Sequence, residues 1–249
     1  MTRSNTKIRF GIGGWTFEPW RGTFYPDGLV QRRELEYAAS KLDSIEVNGT
    51  YYSLMKPDSF RKWHDETPDD FVFSLKATKF CTNRKVLAGA GESIEKFIMS
   101  GLLELKDKLG PINWQFMGTK KFDAQDFGAF LELLPRSVEG RTLRHAVEVR
   151  NESFQVPEFY ELARKHEVAI IQAGDSKFPE IEEATAPFHY VRIMGTREDE
   201  PMGYSDGELE AWANRAKGWA ADGRDVFFYV ISGAKQHNPA AAMALMEKV

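Results

Sequence analysis

The sequence predicts an α/β chain folded as a (β/α)8, TIM-like barrel, and three observations carry that reading. Apolar runs of strand length alternate with helical segments along the chain, which implies parallel strands joined by right-handed crossovers. Eight such runs occur in 249 residues, the number and the chain length that close a barrel. An open doubly wound sheet would instead need a Gly-rich nucleotide turn, and GIGGW at residues 11–15 lacks the G-x-G-x-x-G spacing.

The elements follow in order. Residues 1–7 are polar and expected as a loose tail, and IRFGIGGW (8–15) is the first strand. An aromatic-rich loop leads into a helix over 30–41, then SIEVN (44–48) is the second strand. A helix over 57–65 precedes FVFSLK (71–76). A helix over 93–108 stops at Lys108-Leu109-Gly110-Pro111 and leads to PINWQF (111–116). Helices over 123–134 and 157–165 bracket HAVEVR (145–150), and AIIQA (169–173) follows. The link from there to HYVRIMG (189–195) lacks a clear helix. A helix over 206–222 leads to DVFFYV (225–230), and the last helix, 238–248, opens on an Asn238-Pro239 cap and first-turn pair. No linker, low-complexity tract or repeat interrupts the series, so one domain over 1–249 is expected.

Composition bounds the function. With 42% hydrophobic and 13% aromatic residues the chain can bury a sizeable core. A formal net charge of −4 argues against non-specific coating of nucleic acid while leaving room for a local basic patch. Cys81, the single cysteine, excludes an intramolecular disulfide and reads as a small semi-buried residue. The start has no apolar targeting segment and no run approaches the ~18 apolar residues of a membrane span, so a cytoplasmic protein without a membrane partner is expected. Nothing in the sequence sets the oligomeric state.

The candidate site comes from strand parity. Alternate residues of a barrel strand face the interior and the others face the helices. If Val147 and Val149 pack under helices, Glu148 and Arg150 face inward. The same test on the second strand puts Ser44, Glu46 and Asn48 inside, on the third Ser74 and Lys76, on the fourth Asn113 and Gln115, and on the seventh Tyr190 and Arg192. These polar sets lie toward the C-terminal strand ends, where barrels of this type build their sites. Glu46, Lys76, Gln115, Glu148, Arg150 and Arg192 are therefore expected to converge at the mouth. A purely structural ion network is the competing reading, since two acids and three bases can neutralise one another.

Chemistry follows from residue type. Arg150, Arg192 and Lys76 suit a clamp for a small anionic ligand, and Glu148 or Glu46 suits general acid-base work, with Lys76 a further catalytic candidate. Gln115 and Asn48 add hydrogen-bonding groups, and Trp15 and Tyr51 are candidate walls for a base or sugar. The loop SGAKQHNPAAA brings Lys235 to a helix N-terminus, a common phosphate site in such barrels. His145 and His189 begin their strands at the opposite face and only His237 lies on an upper loop, so a multi-histidine zinc site is not expected. No cofactor is expected, although Glu46, Glu148 and Asp175 leave oxygen ligation of Mg²⁺ open. Loops after strands three to five carry Lys79, Arg84, Lys85, Lys120 and Lys121, whereas those after strands six and seven carry Glu180, Glu182, Glu183, Glu198, Asp199 and Glu200. Three functions stay open: an enzyme acting on a phosphate-bearing or otherwise anionic sugar or nucleotide-like ligand, a hydrolase or isomerase in the most concrete form; a nucleic-acid-binding protein using the basic loops; and a metabolite-binding barrel without catalysis.

Six segments in order, GIGGWTFEPWRGTFYP, IEVNGTYYSL, TPDDFVFSLKATKF, KLGPINWQF, AVEVRNESF and YVRIMGT, carry a resemblance over about residues 9–249. The chain resembles the YecE-like family, the domain of unknown function numbered 72. The resemblance implies a TIM-like barrel and no established activity, and it puts Trp15, Glu46, Asn48, Tyr51, Lys76, Gln115, Glu148, Arg150 and Arg192 on the family's recurrent positions. The chain departs from the family pattern where Asn83, Asn151 and Met194 stand in place of frequent histidines. Met117-Gly118 replaces a Pro-Pro pair, and Val230-Ile231-Ser232 a Phe-Asn-Asn run. Histidine-based chemistry is therefore not expected in this chain.

Overall fold

Parallel strands surround a central axis in the computed structural model, which describes residues 6–249. The strands are β1 (Ile8–Gly13), β2 (Ser44–Val47), β3 (Val72–Lys76), β4 (Leu109–Gln115), β5 (His145–Glu148), β6 in two pieces (Ala169–Ile170 and Gln172–Gly174), β7 (Phe188–Ile193) and β8 (Asp225–Val230). The hydrogen-bonded order begins on the first piece of β6, runs through β5, β4, β3, β2, β1, β8 and β7, and ends on the second piece of β6. The sheet thus closes on itself except for the step at Ile171, and the expected (β/α)8 barrel is the observed architecture.

Burial divides the strand residues as parity requires. Ile45, Val47, Phe73, Leu75, Ile112, Trp114, Val147, Val149, Val191, Ile193, Phe228 and Val230 join the core between strands and helices. Val72, Ala146, Ala169, Ile171, Phe188, Tyr190, Phe227 and Tyr229 form a second cluster inside the barrel. Each large apolar side chain in these layers contributes about 1.5–3 kcal/mol by leaving water. The inner cluster fills only the lower part of the barrel, so the C-terminal part is left to polar side chains.

The helices match expectation at 57–65 and 157–165, where Pro57–Asp65 and Pro157–Lys165 are found. Three other segments differ. The helix expected over 30–41 is a 3-10 turn, Gln31–Arg33, followed by Glu34–Ala39. That expected over 93–108 is cut after Gly91–Ile98 by Gly101 at φ 109°, and a 3-10 segment, Leu102–Lys108, follows. Asn238 opens the last helix, Asn238–Glu247, without capping it: its Oδ1 accepts from Thr196 Oγ1 at 2.9 Å. Among the described residues no helix lies between β6 and β7. An antiparallel hairpin, Ser137–Val138 with Arg141–Thr142, was not anticipated.

Residues 1–5 of the expected tail lie outside the described residues. Thr6 Oγ1 donates to the Ala220 carbonyl at 3.0 Å and Lys7 N to Asp225 Oδ1 at 3.0 Å, which ties residues 6 and 7 to the barrel floor. At the other end, Gly233 has φ 72°, and a Cβ there would sit 2.4 Å from the Thr196 carbonyl oxygen. Only glycine lets the β8 loop lie this close to the β7 loop.

Candidate active site

Register brings the inward polar residues to one level. Gly13 pairs with Glu46, Lys76 with Asn113, Gln115 with Glu148 and Arg192 with Tyr229 across neighbouring strands. Glu46 and Glu148 are both fully buried, and Arg192 is 2% exposed. Arg192 bridges the two carboxylates: Nη2 donates to Glu46 Oε1 at 3.0 Å and Nη1 donates to Glu148 Oε2. Glu46 Oε2 accepts in addition from Tyr190 OH at 2.6 Å and Asn113 Nδ2 at 3.2 Å. Glu148 Oε1 accepts from Arg150 Nε at 2.6 Å, and Arg150 Nη2 donates to Gln115 Oε1 at 2.8 Å. Below this layer Tyr229 OH is 2.7 Å from Ser44 Oγ and 2.6 Å from Ser74 Oγ, and its hydroxyl is wholly buried.

Both carboxylates are thus spent on internal partners. Burial pushes the Glu148 carboxyl up, but Arg192, Arg150 and Lys76 together outweigh burial and hold it below its ordinary value, so Glu148 is ionised at neutral pH. A carboxylate held in this way is a poor proton shuttle and a good anchor for arginine. Arg192 stays charged: its burial is more than offset by Glu148 and Glu46. With both Nη atoms engaged, Arg192 has only Nε unpartnered; that nitrogen and Asn113 Oδ1 are buried polar atoms without hydrogen-bond partners. Unpaired groups of this kind are uncommon in folded interiors.

Lys76 differs from its neighbours. It ends β3 and is 9% exposed, and its Nζ lies 4.6 Å from the centre of the Tyr51 ring. Among the described residues Nζ has neither a hydrogen-bond acceptor nor an ion-pair partner, because the two carboxylates of the layer face the arginines. Burial, reinforced by the charge of Arg192, pushes its pKa down to about 8. Tyr51 is held from behind by Asn83 Nδ2, which donates to its hydroxyl at 3.0 Å. Arg150 is partly exposed and stacks 4.3 Å over the ring of Phe178, leaving part of its guanidinium facing the mouth.

The remaining sequence candidates sit to one side. Trp15, Asn48 and Lys235 line a neighbouring cavity of about 340 Å³ with Gly13, Met55 and Trp63. Trp15 meets Trp63 edge to face at 5.2 Å, and Lys235 Nζ packs 4.3 Å over Phe17. Burial lowers the pKa of Lys235. Parity placed Tyr190 and Asn113 inside, but pattern alone did not reveal that both bind Glu46. Phe178 and Trp63 left no signal at all, since one lies in an irregular loop and the other on a helix outside the barrel.

His145, His189 and Cys81 make no hydrogen bond to this layer. His145 accepts from Trp114 Nε1 at 3.1 Å and its Nε2 donates to the Pro135 carbonyl at 2.8 Å; burial pushes its pKa down to about 4. His189, stacked on Trp219 at 5.2 Å, is likewise lowered to about 4, chiefly by burial. Cys81 is free and buried, and burial pushes its thiol up to about 12. No group of three or more metal-ligating side chains occurs among the described residues. Asp175 Oδ2 accepts from Trp212 Nε1 at 2.8 Å.

The loops after β3 and β4 bring basic side chains together. A groove of about 480 Å³ is lined by Arg84, Lys85, Lys120 and Lys121 together with Asn83 and Met117. Lys120 is partly spent there, since Nζ donates to Asp126 Oδ2 at 2.8 Å and to the Lys85 carbonyl at 2.9 Å. On the acidic side Arg215 meets Glu180 at 3.1 Å and Glu182 at 2.7 Å, and Arg164 meets Glu183 at 3.1 Å. No helix among the described residues is long and apolar enough to cross a membrane.

Residues 9–249 match the model of a family described as protein of unknown function DUF72. The protein YecE of Escherichia coli K12, designated UPF0759, is 28% identical over 150 residues, which cover 59% of this chain and 50% of YecE. The chain therefore spans about half the length of the curated relatives it matches. A crystal structure of a DUF72 family protein from Thermotoga maritima superposes with a TM-score of 0.75 at 23% identity, covering 97% of this chain and 98% of that one. A fusion of a xylose isomerase-like TIM barrel with 4-hydroxyphenylpyruvate dioxygenase superposes with a TM-score of 0.54 at 15% identity, over 96% of this chain and 42% of the fusion. At these identities the two structural likenesses speak for the fold alone.

Proposed function

The chain belongs to the DUF72 family, and on that footing we propose that its barrel mouth is the active site of an enzyme that binds a small anionic ligand between Lys76 and Arg150. The observation that carries this reading is the surplus of one cation. Three cationic side chains share the layer with two carboxylates, and both carboxylates make their contacts with Arg192 and Arg150, so Lys76 feels their field from a distance but has no ion-pair contact of its own. A buried cation without a partner costs free energy that an anion would recover. Gln115 and Glu148 orient the Arg150 guanidinium, and Tyr51 forms a wall beside Lys76. Arg192 is assigned a positioning role, because its two Nη atoms already serve the carboxylates.

A phosphate ester or a carboxylate on a sugar-sized molecule fits this charge, and isomerisation or hydrolysis of such a molecule is the reaction class proposed. The cavity beside the mouth, with Trp15, Asn48 and Lys235 on its wall, is large enough for the uncharged part of the ligand. A cytoplasmic setting suits a metabolic role of this kind. The experiment is titration calorimetry with phosphate, sulfate, pyruvate and sugar phosphates against the wild type and Lys76→Met. Binding by the wild type and loss of about tenfold or more in affinity in the variant is expected, the worth of one charge-assisted contact. Equal affinity in the two proteins would remove Lys76 from the site, and a ligand recovered chemically unchanged after long incubation would favour a binding barrel over an enzyme.

The groove lined by Arg84, Lys85, Lys120 and Lys121 favours a second reading, in which the same face docks on nucleic acid. That reading expects affinity for single-stranded DNA or RNA that falls steeply with salt and is reduced in Lys85→Glu and Lys121→Glu. Salt-insensitive or absent binding rejects it.

A further inference from the structure

We infer that Lys76 is an amine nucleophile whose Nζ adds to the carbonyl carbon of a small anionic aldehyde or ketone and forms an imine with it. The inference rests on the reading of the mouth as an anion site and names the class of substrate. Lys76 stands at the C-terminal end of β3, faces the barrel interior and is reached by solvent only to 9%. An ammonium in such a place normally holds a carboxylate. Here Glu46 accepts from Arg192, Tyr190 and Asn113, and Glu148 accepts from Arg192 and Arg150, so no carboxylate oxygen reaches Nζ. Beside Nζ is the ring of Tyr51, its centre 4.6 Å away, a neutral face that supplies no counter-charge.

This is the setting in which lysine becomes nucleophilic: desolvated, unpaired and beside other cationic groups. With the ammonium form disfavoured down to about pH 8, Lys76 carries on the order of a hundredfold more free amine at neutral pH than a solvent-exposed lysine. Lys235 is likewise unpaired and has its pKa lowered by burial, but it is less buried than Lys76 and has no cationic neighbour acting on it. Lys120 is held by Asp126 and the Lys85 carbonyl, and Lys235 lies over Phe17 and Trp20 beside the ion network.

The step balances without an outside oxidant or reductant. The Nζ lone pair forms the new C–N bond while the carbonyl π pair moves to oxygen, which takes a proton from water. Nitrogen gives one proton to solvent, and the carbinolamine hydroxyl leaves as water with a second proton taken up. The product is a protonated imine and one molecule of water. The charge on its nitrogen replaces that of the ammonium, within the field of the same two glutamates, and draws electrons from the neighbouring carbon. Arg150, fixed by Glu148 and Gln115, is the group that takes the carboxylate or phosphate of the substrate.

The test is reductive trapping on the full chain. Wild-type protein is incubated near pH 7.5 with pyruvate or with dihydroxyacetone phosphate, treated with sodium borohydride, and analysed by intact mass and peptide mapping. The expected result is one adduct of the mass of the reduced imine, at Lys76, labelled at least about tenfold more than any surface lysine, and absent from Lys76→Arg. The two probes separate a carboxylate-bearing from a phosphate-bearing substrate. Labelling spread evenly over surface lysines, or none at Lys76, overturns the inference, and the wild-type map decides this even if the variant does not fold. Lactate and glycerol 3-phosphate, which carry the anion without the carbonyl, are titrated in parallel. If they bind while no adduct forms, the anion site stands and the nucleophile falls. If neither binding nor adduct is seen, both fall.

Discussion

At the C-terminal end of the barrel interior the guanidinium groups of Arg192 and Arg150 are held by carboxylates, while at the N-terminal end those of Arg9 and Arg144 lie over the ring of Phe227 at 5.6 and 4.8 Å. The Arg144 pair with Asp225 is stretched to 3.8 Å, and both side chains there are about one-third exposed. Glu46 and Glu148 have no exposure at all. The lower arginines keep an aromatic face and, at Arg144, partial contact with water, although Arg9 Nη1 is buried without a partner, whereas Glu46, Glu148 and Arg192 have left water and satisfy one another. Burying charge in that way brings little or no net stability, since well-packed apolar residues do as well or better. The lower end reads as a floor; the upper end carries an energetic burden that the proposed binding site would account for.

Three substitutions break or sharpen the contrast. The largest effect is expected for Arg192→Met, which strands two buried carboxylates: a loss of about 3–5 kcal/mol in urea unfolding, against less than 1 if the network is dispensable. Lys76→Met comes next and has the opposite sign. Burial and Arg192 lower the Lys76 pKa to about 8 from 10.5, so the folded protein pays for the bound proton below pH 8 and is relieved of that cost as pH rises from 8 toward 10.5. The variant is therefore expected to be more stable than the wild type near pH 7, by about 1–2 kcal/mol after loss of the contact with Tyr51. The gap should close between pH 8 and 10.5. A variant less stable at pH 7 would mean that Lys76 is a structural counter-ion after all. The smallest effect belongs to the floor: Arg144→Met is expected to change stability by about 1 kcal/mol or less, since its ion pair is long and partly exposed.

Period-2 alternation made much of this legible. It separated Val147 and Val149 from Glu148 and Arg150, and the same alternation put Glu46, Lys76, Gln115 and Arg192 inside, because a buried face tolerates only one register. What alternation could not carry was pairing. Which of two acids meets which of three bases depends on strand stagger around the closed sheet, and Lys76 emerges as the unpaired member only once Arg192 is seen to bridge both glutamates. Helix breaks were illegible for a related reason. The apolar period of residues 93–108 continues across Gly101, whose φ of 109° turns the chain where Pro57 packs against it. Trp15, Asn48 and Lys235 were candidate ligand-binding residues by sequence, and the loops after the first, second and last strands carry them to an adjoining cavity.

The central claim is that Lys76 is the free cation of the mouth, and the affinity of sulfate as a function of pH tests it most directly. Sulfate does not titrate between pH 6 and 10, so any change in its binding over that range reports on the protein. The account predicts calorimetric affinity that falls as pH rises through about 8 in the wild type, where Lys76 loses its proton, and a flat profile in Lys76→Met. A wild-type affinity that is constant from pH 6 to 10, or that falls identically in the variant, would contradict it.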